Sequence, residues 1–294
     1  MIEQIKFKNQ KVKMSTSARV VFTIVFILFA LYAATLVYPF VWALANSLKS
    51  GAIEYFTNPF ALPVKPIFQN YPDAFRLLSV NGVGFASMVF NSLWFSVGSV
   101  AVNMFLVSLC AYTLSKYVFP GQKFLYSLSV FMMMIPLYGT MPAQYRLYGL
   151  LGLKNSPLIL LTHTGVFGTA SFLIIHGYYK NLSSVYMEAA RIDGANEFTI
   201  YFRIMIPLAR PIIASYMLIN FIGNWNDYLT PIMYLDKMPT LASGLYTYQT
   251  IVERTGNYPL YFAGIYISVI PILILYSLMH KTLVNSMAFG GIKG

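Results

Sequence analysis

The sequence predicts an all-α membrane protein with six transmembrane helices, on three observations. Of 294 residues, 57% are hydrophobic and only 10% charged, with a mean hydropathy of +0.62; a soluble globular domain carries about a quarter charged residues. The apolar residues gather into runs of roughly the 20 residues needed to cross about 30 Å of hydrocarbon. The runs do not alternate in polarity as β-barrel strands do: Val20-Val21-Phe22-Thr23-Ile24-Val25-Phe26-Ile27-Leu28-Phe29 has no period of two. An open sheet is excluded because its backbone polar groups find no partner in lipid.

In chain order, residues 1–18 form a polar, basic arm, 19–281 the membrane domain and 282–294 a tail. The first run, Val20–Ala45, exceeds the 7–15 apolar residues of a secretory signal and reads as a retained helix. Residues 46–82 hold Pro59, Pro63, Pro66 and Pro72 and predict an irregular lobe with short helices. The second span, Val83–Ser115, leads through a tight turn at Pro120-Gly121 into the third, Phe124–Tyr145. A short loop precedes the fourth, Asn155–Tyr179. A polar loop, 180–210, leads to the fifth, Pro211–Leu235, and a fifth loop from Asp236 leads to the sixth, Thr255–His280. Five of these spans contain no Lys, Arg, Asp or Glu; the fifth carries one acid, Asp227.

The formal net charge of +11 is explained by topology. With the N-terminus in the cytoplasm, six crossings leave Lys6, Lys8, Lys11, Lys13, Arg19, Lys116, Lys123, Lys180, Arg191, Arg203, Arg210, Lys281 and Lys293 inside, 13 of the 20 basic residues, as the positive-inside rule expects. Both termini are then cytoplasmic. No nucleic-acid surface is implied. Cys110 stands alone, so no internal disulfide forms.

The polar loop carries the most information. Asn181-Leu182-Ser183-Ser184 offers helix N-caps, and Glu188 falls near a helix N-terminus, where the macrodipole favours an anion. Ala189 and Ala190 let another surface approach closely. Gly194 can adopt positive φ and end the helix. Asn196 can cap a second helix, Glu197–Ile206, that meets Pro207 at the membrane. A mere connection takes only a few residues. This loop is about thirty residues long and capped, and reads as a docking knob.

These residues carry a resemblance. Glu188-Ala189-Ala190, Gly194-Ala195, Ile204 and Pro207 resemble the EAA signature of ABC-importer permease subunits. The ending Leu283-Val284-Asn285-Ser286 with Gly290-Gly291-Ile292-Lys293-Gly294 is similar to the C-terminus of MalG-type carbohydrate permeases. Tyr38-Pro39-Phe40, Ser47-Leu48-Lys49, Trp225-Asn226-Asp227-Tyr228 and Pro239-Thr240-Leu241 also match that family. The resemblance implies a multi-pass protein of the bacterial cytoplasmic (inner) membrane that imports a carbohydrate, an oligosaccharide, by alternating access. It implies as partners a second related permease, two cytoplasmic ATPases and an extracytoplasmic solute-binding protein. Glu188, Ala189, Ala190, Asp193, Gly194 and Ala195 then correspond to the helix seated in an ATPase cleft. Gly290, Gly291, Ile292, Lys293 and Gly294 correspond to the tail that reaches between the ATPases.

No catalytic centre is expected in this chain. A phosphate-binding loop needs Gly-x-x-x-x-Gly-Lys-[Ser/Thr], and the sequence has no Gly-Lys pair. ATP and Mg therefore belong to partner subunits, and the chain itself needs no cofactor. His163, His176 and His280 lack metal-ligand spacing, so no metal is expected.

For a substrate path, Asn220, Asn224, Trp225, Asn226 and Asp227 put amides, an indole and a carboxylate near the outer half of the fifth span; Asn91 and Trp94 offer the same chemistry on the second. Polar groups in a span usually face a cavity or partner helix. The same side chains also suit interfacial anchoring and helix-to-helix bonding, so both readings stand. An ion-coupled secondary transporter, the alternative, should place ionisable groups near the midplane; a non-transporting scaffold is the other.

Overall fold

The computed structural model describes residues 15–135, 139–163 and 165–291, with side chains as far as Leu278. The expected arm up to Met14 and the tail residues Ile292, Lys293 and Gly294 lie outside the described residues.

Helix α1 (Thr16–Ser47) is apolar on all sides, so only its last turn enters the core, at Asn46 and Ser47. Short helices α2 (Ala52–Thr57) and α3 (Asn70–Leu77) follow. A two-residue antiparallel hairpin comes next, β1 (Ser79–Val80) with β2 (Val83–Gly84). Asn81 and Gly82 both have positive φ, as a two-residue hairpin loop requires. The Asn-Gly pair is the sequence signal for this turn.

This lobe caps α1. Helix C-termini leave carbonyls unpaired. The Asn70 amide donates to the carbonyls of Ser47 and Lys49 at 2.7 and 2.9 Å, and the Ile67 N–H to that of Leu48. Lys49 is fully buried and donates its ammonium to the Asn58 carbonyl at 2.5 Å. The four-proline segment is thus the terminus of the first membrane helix in another form.

Helix α4 (Phe85–Lys116) is the central strut. It packs against α7 (Ala170–Asn181) and α10 (Ile206–Asn226), while α13 (Tyr258–Gly291) packs on α10 and α1. Ala111, Ala209 and Ala263 are fully buried in the main core; small residues let membrane helices approach closely.

Among the described residues, four helical stretches are long and apolar enough to cross a membrane: Thr16–Ser47, Phe85–Lys116, Glu197–Asn226 and Tyr258–Leu278. The third and fourth expected spans are not continuous. The third consists of α5 (Gln122–Met134) and α6 (Met141–Leu150). Ile135, next to Pro136, is extended, because a proline ring clashes with a helical residue before it. The fourth consists of a 3₁₀ turn, Pro157–His163, and α7. Its freed carbonyls are satisfied from α4: the Asn103 amide donates to the carbonyls of His163 at 2.7 Å and Gly165 at 3.1 Å.

The fifth expected span also shifts. It begins earlier, since α9 (Glu197–Ile200) runs through a π-turn (Tyr201–Met205) into α10 without a break at Pro207. It ends at Asn226. Asp227, expected as the one acid within a span, lies beyond α10, extended, and its carboxylate accepts from the Thr230 N–H at 3.0 Å. It caps α11 (Leu229–Tyr234), which precedes α12 (Leu241–Thr255).

Loop contacts fall into two groups. At one end, Asn81 donates to the Asp236 carbonyl, Asn155 to the Asp236 carboxylate, and Tyr55 stacks on Tyr258 at 4.6 Å. At the other, Lys116 donates to the Leu182 carbonyl and the Gln122 amide to that of Leu114.

Close packing at α13 has a testable consequence. A Cβ on Gly264 would stand 2.5 Å from Leu78 Cδ1 and 3.3 Å from Leu245 Cδ2. Leu78 is itself buried and cannot swing away. Gly264→Ala should destabilise the fold by ~1–3 kcal/mol, the usual cost of overpacking, and lower the Tm in detergent. Gly177→Ala, where no atom lies within 4 Å, should leave it unchanged; equal Tm values for the two would refute the packing assignment.

Candidate functional site

The loop 180–210 folds as a helical hairpin. Helix α8 (Val185–Ile192) starts after Ser183, whose Oγ accepts from the Val185 N–H at 3.3 Å. The first N-cap reading is thereby narrowed to Ser183; Ser184, at the cap position, makes no side-chain cap bond. The helix ends in a Schellman motif. Gly194 has φ +79°, its N–H donates to the Arg191 carbonyl, and the Ala195 N–H donates to that of Ala190 at 2.9 Å. Asn196 caps the next helix by accepting from the Thr199 N–H at 2.8 Å.

The hairpin has an inner and an outer face. Met187 and Ala190 are buried, and the Met187 sulfur lies 4.0 Å from the Tyr112 hydroxyl. Glu188, Ala189, Asp193 and Gly194 are exposed and Ala195 half-buried. Of the six expected docking residues, Ala190 therefore packs inward while the others lie outward or at the edge. Ile192 is 86% exposed and Phe198 77%. These two large apolar residues were missed by sequence reasoning, because nothing in the chain distinguishes an exposed Ile at this turn from a buried one.

Glu197 ties the hairpin down. Its carboxylate accepts from Arg191 Nε at 3.0 Å and Nη2 at 3.4 Å and from the Tyr117 hydroxyl at the end of α4. Burial and then the bond to Glu197 push the Tyr117 phenol up from its ordinary pKa. Tyr117 in turn bonds the Tyr112 hydroxyl at 2.8 Å. One turn deeper, Ser108 meets Tyr179 at 2.9 Å and Tyr201 at 3.1 Å. These hydroxyls join α4, α7 and the π-turn just behind the hairpin. The partnership of Tyr112, Tyr117, Glu197 and Ser108 was not legible either, since it joins residues up to 93 apart in sequence.

The expected substrate-path residues do not form one cluster of free polar groups. The Asn91 amide donates to the Pro239 carbonyl at 3.0 Å, and the Trp94 indole reaches Asn91 at 3.4 Å. Trp225 is buried and donates to the Ser268 carbonyl of α13 at 3.1 Å. Asn220 and Asn226 each bond a carbonyl four residues back. Asn224 is half-buried, with no side-chain bond among the described residues. Near this end Tyr228 stacks on Tyr246 at 4.4 Å. No group of three or more metal-ligating side chains occurs among the described residues.

Residues 103–288 match the family described as binding-protein-dependent transport system inner membrane component. That stretch begins within α4, includes the whole hairpin and reaches α13. The chain belongs to this family. A diacetylchitobiose uptake system permease protein, NgcG, of Streptomyces coelicolor is 29% identical over 90% of this chain and 86% of its own length. The galactooligosaccharides transport system permease GanQ of Bacillus subtilis is 27% identical over 92% and 94%. The arabinooligosaccharides transport system permease AraQ of Halalkalibacterium halodurans is 32% identical over 69% and 73%. A solved structure of a bacterial ABC transporter involved in import of the acidic polysaccharide alginate shares the fold, with a TM-score of 0.77 and 24% identity over 92% of this chain and 99% of that one. The matched stretch contains the hairpin with its exposed outer face.

Magnitudes decide what holds the hairpin. Arg191 and Glu197 are about half exposed, and such pairs contribute ~0–1 kcal/mol. Truncating a buried Met costs ~2–5 kcal/mol. Met187→Ala should therefore raise amide exchange across 185–196 far more than Arg191→Ala does. The reverse order would overturn this ranking.

Proposed function

We propose that this chain is the pore-forming permease subunit of a bacterial ATP-driven ABC importer for carbohydrate, with an oligosaccharide as substrate. The observation that carries the mechanism is the hairpin: of its EAA-type residues Glu188, Ala189, Asp193 and Gly194 are exposed while Ala190 packs inward, and Glu197 and Met187 fasten it to α4. A knob so held moves as one body with the core helices. Closure of a partner ATPase around Glu188, Ala189, Asp193 and Gly194 is then passed to the spans as a rigid-body rotation, which opens the path alternately to each side.

Several features support the wider assembly. GanQ and AraQ are oligosaccharide permeases by name, NgcG is a diacetylchitobiose permease, and this chain's own family is that of binding-protein-dependent transport systems. The partners are a second related permease, two cytoplasmic ATPases carrying ATP and Mg, and an extracytoplasmic solute-binding protein. The two groups of loop contacts favour six traverses, with the broken third and fourth spans counted as crossings and both termini in the cytoplasm of the inner membrane. The Gly290–Gly294 tail reaches the ATPases, and the chain hydrolyses no ATP itself. The substrate path uses Asn91, Trp94, Asn220, Asn224 and Asp227 near the Tyr228–Tyr246 stack, with Trp225 and Asn226 positioning α10. The ion-coupled alternative is disfavoured because the long helices carry no acid between their ends.

In proteoliposomes with the partner subunits, Glu188→Lys and Gly194→Val should lower uptake by about tenfold or more, a loss of ~1.4 kcal/mol or more of coupling. ATP hydrolysis should at the same time stop responding to loaded binding protein. Undiminished uptake with normal stimulation of hydrolysis in both variants would remove the hairpin from the mechanism.

A further inference from the structure

At the hairpin end of the bundle, a cavity of about 380 Å³ opens between the end of α4, the start of α5 and the end of α7. Its walls are mainly apolar, and the charge at its lining is of one sign. Lys123 and Lys180 stand at the rim, both exposed, with Ser127 and Tyr126 beside them. Among the described residues the one ion pair is Arg191–Glu197, so neither lysine is neutralised, and no carboxylate lines the cavity. The floor is His176, 7% exposed, with its ring held against Tyr126 at 4.7 Å and Phe172 at 5.9 Å.

A further source of positive potential is the start of α5. Gly121 offers no side-chain cap. The Gln122 and Leu125 amides bond back to Phe119 and Gly121, while those of Lys123 and Phe124 have no acceptor among the described residues. Free amides at a helix N-terminus attract anions. Two lysines and the hydroxyl-bearing Tyr126 and Ser127 thus line a concave space beside a helix start with two unbonded amides.

We propose that this cavity binds the phosphate headgroup of an anionic phospholipid. The location selects a lipid over a soluble anion. The cavity lies where α4 leaves its apolar run, and basic pockets at helix ends on this side of a membrane suit anionic headgroups. On the adjacent face of α5, Phe124 and Phe131 are 69% and 59% exposed and provide a wall for an acyl chain. The inference rests on the membrane-spanning reading of α4 and on the cytoplasmic placement of the hairpin end proposed above, and does not depend on the transport reading.

The test uses the full-length chain with its copurifying subunits in nanodiscs. Reactivity of Lys123 and Lys180 toward an acetylating reagent is read by mass spectrometry, with phosphatidylcholine alone or with phosphatidylglycerol added. Phosphatidylglycerol should protect both lysines several-fold relative to Lys237, which lies at the opposite end. Inorganic phosphate or glycerol phosphate in phosphatidylcholine discs should not protect. A K123E/K180E variant that still assembles should lose the phosphatidylglycerol that the native complex retains through delipidation. Absence of protection in the native complex overturns the proposal whether or not the variant folds, and so does equal protection by the soluble phosphates. Neither result bears on uptake, so the transport reading stands or falls separately.

Discussion

The carboxylate of Glu197 is the joint on which this architecture depends. It receives Arg191 from the first helix of the hairpin and Tyr117 from the end of the central strut, and it begins the helix that becomes α10. The two helices of the hairpin and the end of α4, 80 residues away in sequence, are thereby brought to one pair of oxygens. The ion pair alone contributes little in water. Its role is geometric: it orients a hairpin whose adhesion comes from Met187 and Ala190 buried beneath it. The Tyr117–Tyr112 pair then carries the link into the helix bundle, and the Ser108, Tyr179 and Tyr201 hydroxyls continue it one turn deeper.

The same need to satisfy polar groups explains the departures from six continuous rods. In lipid an unpaired carbonyl costs several kcal/mol, so a helix breaks only where a neighbour supplies donors. Asn103 is such a neighbour: from the middle of α4 it donates to both carbonyls at the break before α7. Asn70 and Ile67 perform the corresponding task at the end of α1. The π-turn ahead of Pro207 is a third case. The Ile206 N–H bonds back to the Tyr201 carbonyl, so the helix widens by one residue where proline removes the next donor and continues unbroken.

Much of this was legible beforehand because it rests on local rules. Long runs without charge gave α1, α4 and α13, and Gly194 and Asn196 marked the turn and cap of the hairpin within single residues. What escaped depends on tertiary partners. Pro136 and Pro142 were visible in the third expected span, yet proline alone does not fix a break, as Pro211 and Pro271 show by sitting inside helices. Asp227 looked like an intramembrane acid because the apolar run continues past it to Leu235. Its carboxylate instead caps α11. Trp225 was open to a substrate-path or a helix-bonding reading, and its indole donates to the Ser268 carbonyl in the core.

Polarity is thus spent differently at the two ends of the protein. At the Asp236 end the amides and carboxylates are consumed in caps and loop-to-loop bonds: Asn81 and Asn155 to Asp236, Asn91 to Pro239, Asp227 to Thr230. They make that end a fixed collar. At the hairpin end the bonded groups lie inward, and the outward surface keeps exposed Ile192, Phe198 and Glu188 together with two unpaired lysines. A surface that leaves large apolar side chains and free charge in the open is incomplete by itself. The lobe at the Asp236 end also exposes apolar side chains, at Ile53, Phe60, Leu62 and Val64, so the two ends differ in how their polar groups are bonded, not in apolar exposure. Because α4 and α10 both run from one end to the other, anything gripping the hairpin acts on the collar through these two packed helices.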